Sequence, residues 1–459
     1  MKPPFLINKK NLGNEGVKLR AECVSALFRI LEQGVPAPVA LQECYKQIGD
    51  ERDRKLLKEI VMGVLRWKGS LENLLGFMSQ SKSIEFLKKE ILFAILCGMY
   101  QIFFDERVPD YAACNTIVEF VKNSAGQKTA SYVNAILRKC TRAGNIENLF
   151  REIGVKDNDE IIWSSYPKWL RNKLEKQLGK GLAFEQAKAM NSPGDVFLRV
   201  SKNAPEDFTE ILKREIPGIE LENGRWLQFS RVIKKGGDVQ STSLFLKGLI
   251  TIQDEGSQIA AVSCGVSGNS RVMDCCCGIG VKTGLIAEFI TDGFVVAFDK
   301  SREKIKIFKK EMARIGAERV FVACADSTTI PLGSGAVFDR IIIDAPCSGT
   351  GSLSKKPDIK YRLKPSDPVR LSNLQYLLLE SASNHLKENG VLIYSVCSIL
   401  REEGIEVIER FLERNPQFSL IVPPGLPSPL VREASNGYLL LLPSIHRTEG
   451  FFIAAITRN

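Results

Sequence analysis

The sequence predicts an α/β chain. A doubly wound, mostly parallel sheet forms its C-terminal part, behind an all-helical domain and a small α+β linker domain. Three observations carry this reading. Apolar residues recur every three or four positions through 17–142; short strands and turns alternate over 143–240; from about residue 250 near-continuous apolar runs alternate with helical patterns. The expected boundaries follow these changes of texture, at 1–145, 146–240 and 241–459. A chain of 459 residues also exceeds one ordinary core.

The helical part is marked by Leu56, Ile60, Val64 and Trp67, and again by Val133, Ile136 and Leu137. Gly49-Asp50 and Val108-Pro109-Asp110 punctuate it. In the linker a helix is expected after Tyr166-Pro167, because proline suits a first helical turn. Strands are expected over 196–200 and 225–233, with turns at Asn223-Gly224 and Gly236-Gly237. In the last part strands are expected over 271–275, 294–299, 320–324, 338–344, 390–396 and 451–457. Their continuous apolar character is that of parallel strands buried on both faces. Helices over 301–315 and 371–386 fill the gaps, and a ligand belongs at the carboxyl ends of the strands.

Composition narrows the function classes. Hydrophobic content of 44% and charged content of 25% are those of an ordinary globular protein. The longest apolar stretch, 91–100, falls short of the roughly 20 residues a membrane span needs. The opening MKPPFLINKKN lacks the apolar run of a secretory signal, so a cytoplasmic protein with no membrane association is expected. Twelve cysteines scattered along the chain read as thiols, and no pair of CxxC motifs suggests a metal. Adjacent Cys275, Cys276 and Cys277 cannot easily converge on one ion. The charge of +10 is spread along the chain and favours a polyanionic partner. Only His385 and His446 are present, which argues against serine–histidine hydrolysis and imidazole metal sites. His385 is expected on a helix surface, and His446 is expected to order the turn before the last strand.

Chemistry is concentrated in three segments. In the first, 272–289, a strand ends near Asp274, a turn holds Gly278 and Gly280, and a helix begins near Lys282. Such a turn lets a nucleotide approach the backbone closely. Asp299, 25 residues after Asp274, and Asp326 close the next two strands, where carboxylates can accept from ribose hydroxyls and an adenine amine. The G-x-G-x-x-G spacing is absent, which argues against a dinucleotide oxidoreductase. The second segment, 341–353, delivers Asp344, the rigid Pro346 and Cys347 to the same edge. In the third, 392–404, another strand ends at Cys397.

Two thiols beside a carboxylate suit one difficult reaction. C5 of cytosine is a poor nucleophile, but a thiolate adding to C6 makes the ring an enamine whose C5 can attack an activated methyl group. A hydrogen bond or proton at N3, for which Asp344 is suited, helps the addition, and a base must then remove the C5 proton. Cysteine fits because a few per cent is thiolate even when unperturbed, more in a positive environment.

Asp344-Ala345-Pro346-Cys347-Ser348-Gly349-Thr350-Gly351, then Pro357-Asp358-Ile359-Lys360, then Cys397-Ser398 and Glu402-Glu403, resemble the RNA cytosine-C5 methyltransferases of the RsmB (Sun/Fmu) type. Nearly the whole chain takes part in the resemblance. Gly63-Val64-Leu65-Arg66-Trp67 and Val133-Asn134-Ala135-Ile136-Leu137-Arg138 are similar to the NusB-like helical domain that precedes the enzyme in this type. The resemblance implies a Rossmann-like catalytic domain and S-adenosylmethionine as cofactor. It implies Cys397 as nucleophile, with Cys347 assisting proton removal and release. Cys276, Cys277, Gly278, Ile279, Gly280, Val281 and Lys282, with Asp299, Asp326 and Asp344, are implied to bind the cofactor. The implied substrate is small-subunit ribosomal RNA, with tRNA as rival, contacted by the helical domain through phosphates.

The sequence departs from the family pattern at the cofactor turn, which usually reads Cys-Ala-Ala-Pro-Gly-Gly-Lys-Thr and here carries Ile279 and Val281. Val396 stands where threonine is usual, and Gly404 where asparagine is. A non-catalytic RNA-binding or ribosome-assembly factor is the competing reading. No metal is expected, and a monomer is.

Overall fold

Residues 15–79, 84–105, 107–155, 159–333 and 335–459 are described in the computed structural model. They divide into two units: one runs up to Ser192 and also takes in Leu353–Leu363, the other holds Pro193–Ser352 and Lys364–Asn459. The division at Ser192 falls inside the expected 146–240 linker, whose helices up to Met190 belong to the first unit and whose strands, with the helix Phe208–Glu215, belong to the second.

The first unit is helical because its apolar residues recur at helical spacing. Its main helices are α1 (Glu15–Leu31), α2 (Ala37–Tyr45), α3 (Glu51–Met78), α4 (Lys89–Phe104) and α5 (Asp110–Ala143). Asp50 starts α3 by accepting from Arg52 N at 2.6 Å, the capping role its position predicts. α4 is apolar almost all round and is buried from Ile91 to Ile102, the pattern of a central helix. α5 is broken at Gly126, where φ is 83°. Pro167 caps the helix Lys168–Leu178, as expected from the sequence. Leu57, Ile60, Val64, Ile95, Phe120, Val133 and Leu137 form the core.

Leu353–Leu363 is held in this unit by polar groups. Lys360 Nζ donates to Arg66 O at 2.8 Å and Asn191 Oδ1 at 2.9 Å, while Arg66 Nη2 donates to Ser354 O at 3.0 Å. Burial, and then the Arg66 charge, push the Lys360 amine well below its ordinary value.

The second unit carries two sheets. The smaller has the order β2-β3-β1-β4, from β1 (Val196–Val200), β2 (Glu220–Asn223), β3 (Ser230–Lys235) and β4 (Ile250–Ile252). β3 begins five residues later than expected, because buried Glu255 accepts from the backbone N–H groups of Arg225, Trp226 and Leu227 at 3.0–3.1 Å and turns the chain there.

The larger sheet contains β5 (Arg271–Asp274), β6 (Phe294–Asp299), β7 (Val320–Cys324), β8 (Phe338–Asp344), β9 (Leu386–Val396), β10 (Phe418–Ile421), β11 (Tyr438–Leu441) and β12 (Phe451–Arg458). Its order is β10-β12-β9-β8-β5-β6-β7, with β11 also on β12. The strands from β9 to β7 pair in parallel; β12 is antiparallel to β9, and β10 and β11 are antiparallel to β12. β8 shows why the run is apolar: Ile341 and Ile343 pack on one face and Ile342 on the other. The chain leaves β5 toward β6 on one side and returns at β8 on the other. That reversal opens a crevice at the carboxyl ends of the strands.

Several sequence expectations shift: the helix expected over 371–386 runs from Asp367 to Ser383, and β9 begins at Leu386 and not at residue 390. β5 stops at Asp274 and not at Cys275, because the Asp274 carboxylate accepts from Cys276 N and turns the chain. His385 is buried, with Nδ1 2.9 Å from Ala336 O, and is not a surface residue. Among the described residues, no helix is long and apolar enough to cross a membrane.

Candidate active site

The turn after β5 is built around two carboxylates. Asp274, only 2% exposed, accepts from the Thr283 hydroxyl at 2.6 Å and from Cys276 N at 3.3 Å. Burial pushes it up to about 7 against the pull of Thr283. Asp299, at the end of β6, accepts from Gly278 N at 3.1 Å and from Ser301 N at 2.8 Å, so it ties the turn to its own strand end. Gly280 has φ of 93°, where an L side chain is strained, and a Cβ there would press on Phe308 and Met312.

The three adjacent cysteines separate. Cys275 packs in the core with Met273 and Ile341, Cys277 with Phe308 and Met312, and Cys276 stays half-buried in the turn. Burial raises all three thiols. Ile279, the residue that departs from the family pattern, is exposed. The Val281 carbonyl accepts from Arg199 Nη1 at 2.9 Å, and the same buried guanidinium reaches Gln253 at 2.7 Å and Glu288 at 3.3 Å. Arg199 thus braces the turn from β1, a role that spacing alone gave no sign of.

Lys282 Nζ pairs with Asp344 Oδ2 at 2.7 Å and lies 5.2 Å above the Phe451 ring. Burial alone would lower its pKa; the Asp344 charge outweighs this and holds the ammonium above its ordinary value, with Cys397 adding to the rise. Asp326 lies apart from this cluster: it is exposed and bonds Thr328 N at 2.9 Å and the Thr328 hydroxyl at 2.8 Å.

Cys347, after β8, and Cys397, after β9, meet with their Sγ atoms 3.3 Å apart. Both are half-buried thiols outside any disulfide. The Cys397 contact, then burial, push the Cys347 thiol well up. Around them lies a polar network that motif reading recorded only as Glu402-Glu403. Glu403 Oε1 accepts from Ser348 N at 2.7 Å and Gln375 Nε2 at 3.2 Å; Oε2 accepts from the hydroxyls of Ser398, at 2.6 Å, and Ser348. His446 is remote from this chemistry: its Nδ1 bonds Leu442 N at 2.8 Å and its Nε2 bonds Glu433 at 2.9 Å. Among the described residues no three His, Cys, Asp or Glu side chains group as a metal site.

A parallel sheet with this crevice, a glycine turn after its central strand and carboxylates closing the next strands make a Rossmann-like methyltransferase fold. A solved methyltransferase homolog from Pyrococcus horikoshii agrees: it is 27% identical, covers 64% of this chain and 96% of its own, and superposes with a TM-score of 0.54. The structure of PH0851 shares the fold over 95% of this chain and 98% of its own, at 24% identity and a TM-score of 0.75. Residues 265–457 match the 16S rRNA methyltransferase RsmB/F family and residues 18–142 the NusB family. The probable ribosomal RNA small subunit methyltransferase B of Bacillus subtilis (strain 168) is 30% identical over 453 residues, 96% of this chain and 99% of that protein. Ribosomal RNA small subunit methyltransferase B of Pseudomonas syringae pv. tomato is 29% identical over 89% of this chain and 90% of its own. The chain belongs to the RsmB/F methyltransferase family, with a NusB-type helical domain ahead of the enzyme.

Proposed function

We propose that this chain transfers a methyl group from S-adenosylmethionine to C5 of a cytosine in small-subunit (16S) ribosomal RNA, through a covalent bond between Cys397 Sγ and cytosine C6. The observation that carries the reading is the pair of thiols 3.3 Å apart at the ends of adjacent parallel strands. A simple core cysteine needs no such partner. The names of the relatives support the RNA substrate, and the net charge of +10 suits it. Residues 241–459 hold the catalytic site, 1–145 contact RNA phosphates, and 146–240 link them.

The residues of the β5 turn fit the cofactor. A Cβ built on Gly278 meets nothing within 4 Å, so the turn opens on free space beside the Asp299 carboxylate. Cys276, Cys277, Ile279, Gly280, Val281 and Lys282 line the turn, and Asp326, exposed two residues after β7, is proposed as a second acceptor. When bound, the cofactor supplies an electrophilic methyl group on sulfur.

The chain does the rest. Cys397, beside the Lys282 ammonium, adds as thiolate to C6, and a bond forms between sulfur and carbon. Asp344, ion-paired with Lys282, is an acceptor and orients the base by taking a hydrogen bond from its exocyclic amine. C5 of the resulting enamine takes the methyl group. The C5 proton passes to a water molecule with Cys347 assisting; the electron pair of the broken C5–H bond re-forms the ring double bond as the bond from Cys397 to C6 breaks, returning the thiolate.

The test uses Cys347→Ala protein with S-adenosylmethionine and unmodified small-subunit rRNA on a denaturing gel. A retarded covalent RNA–protein band is expected, because release stalls, and Cys347→Ala combined with Cys397→Ala loses it. No band from folded protein that binds the RNA overturns the reaction on that RNA. Repeating with tRNA then separates a different substrate from a non-catalytic assembly factor.

A further inference from the structure

Glu403 is buried, and among the described residues no cation is a hydrogen-bond partner of its carboxylate, an expensive arrangement unless every lone pair is used. Its four donors are neutral, and they come from both thiol loops and the helix beside them. Ser348, the residue after Cys347, gives its backbone N–H at 2.7 Å and its hydroxyl. Ser398, the residue after Cys397, gives its hydroxyl at 2.6 Å. Gln375 donates to Glu403 at 3.2 Å and, from the same nitrogen, to the carbonyl of Pro346, the residue before Cys347, at 3.0 Å. The Glu403 backbone is itself fixed to β9, where Tyr394 OH donates to its carbonyl at 2.6 Å.

Both thiols are thus one residue away from the same carboxylate. The loops also meet directly: the Thr350 hydroxyl lies 3.0 Å from that of Ser398 and 3.4 Å from that of Ser348, the two serine hydroxyls are 3.2 Å apart, and Gly351 N donates to Cys397 O at 3.0 Å. The Thr350 hydroxyl therefore also reaches both serines, but Glu403 is the charged group that gathers Ser348, Ser398 and Gln375 on one side chain.

We propose that Glu403 is a positioning residue that sets the spacing of Cys347 and Cys397 by clamping Ser348 and Ser398 on one carboxylate. It touches neither the thiols nor the substrate, so its effect passes through the two loops. The catalytic consequence rests on the reaction proposed above; the spacing does not.

The experiment reads the spacing without RNA or cofactor. Full-length protein is treated with diamide, which takes one hydrogen from each of two thiols, is reduced to the hydrazine and leaves one disulfide. The rate of the Cys347–Cys397 crosslink is followed by peptide mass. Glu403→Ala is expected to slow it about 10²-fold, the scale of an ångström of misplacement. Glu403→Gln keeps the volume but cannot accept on its nitrogen, and is expected to slow it about tenfold, the worth of one hydrogen bond to a charged group. In methylation assays, with rates normalised to the folded fraction, both variants lower kcat and leave the KM for S-adenosylmethionine unchanged.

Crosslinking at the wild-type rate in both variants, with native circular dichroism, overturns the proposal. So does an equal change in kcat and KM. Should Glu403→Ala fail to fold, Ser348→Ala and Ser398→Ala each remove one clamp bond and carry the same expectation. Slowed crosslinking in a protein whose wild type transfers no methyl group leaves Glu403 in its role and sinks the proposed reaction instead.

Discussion

Lys282 Nζ lies 2.7 Å from Asp344 Oδ2, so the turn after β5 grips the last residue of β8 across the mouth of the crevice. Lys282 is mostly buried, and its removal leaves the Asp344 charge without its cation. Lys282→Met is expected to destabilise the protein by about 1–3 kcal/mol, below the figure for a fully buried pair because Asp344 is partly solvated. The sign in pH follows from a lysine raised by its partner. The stabilisation is complete below the unfolded value of about 10.4 and is lost as pH rises through the higher folded value. Urea unfolding of wild type and variant at pH 8 and above 10 checks this: the gap between them must narrow at the higher pH.

Asp274 gives a pH dependence of the same sign in a lower window. Its folded-state pKa is raised to about 7 by burial, so the folded protein holds that proton more tightly than the unfolded chain does. Its contribution is full below an unfolded value of about 3.9 and is lost as pH rises through 7. Asp274→Asn cannot lose a proton and escapes this term. Its stability relative to wild type is therefore expected to rise between pH 4 and pH 7.5, by on the order of a few kcal/mol. Denaturant unfolding at several pH values decides it, and a flat difference means the carboxylate is solvated.

The parallel strands could be read from sequence because burial on both faces leaves a continuous apolar run. β6, β7 and β8 fall on their expected residues. β2, β10 and β11 could not be read: each is four residues long and owes its existence to a neighbouring strand. The crevice was legible as motifs, since Asp274, Asp299, Asp344, Cys347 and Cys397 end or follow strands. What motifs could not convey is which groups meet. The pairing of Lys282 with Asp344 spans 62 positions and the Ser348–Glu403 bonds span 55, separations that only the folded strand order closes. His385 shows the same limit, since a polar residue ending a helix reads as exposed until the sheet covers it.

In the helical unit, Lys360 is buried against Arg66 O, Asn191 and the Tyr166 ring. Burial and the Arg66 charge depress its pKa, so folding favours the neutral amine. Stability from this site rises with pH between the depressed folded value and the unfolded value of about 10.4. Arginine cannot escape by losing a proton. Lys360→Arg is therefore expected to cost about 2–5 kcal/mol, although the charge on paper is the same. A lower thermal midpoint for Lys360→Arg than for Lys360→Met is the result that fits; the reverse order means the amine is charged and paired in solution.

Gly351 joins the thiol loops to the turn before β12. Its N–H donates to Cys397 O at 3.0 Å, and its carbonyl accepts from Gly450 N at 2.9 Å. A Cβ on Gly351 runs into the Gly450 carbonyl, a backbone atom that cannot swing aside as a side chain can. Alanine there must push the two segments apart, and the Cys397 carbonyl moves with the loop. Gly351→Ala is expected to destabilise by about 1–3 kcal/mol, the cost of overpacking. Methyl transfer is expected to fall about 10²-fold, as an ångström of displacement at a reacting group does. The two effects separate in the Cys347→Ala background, where the covalent RNA adduct reports Cys397 alone. At a temperature where Gly351→Ala is still folded, slower adduct formation shows that the nucleophile has moved. Adduct formation at the parent rate, with only the melting temperature lowered, shows that the contact serves stability and that Cys397 keeps its place without it.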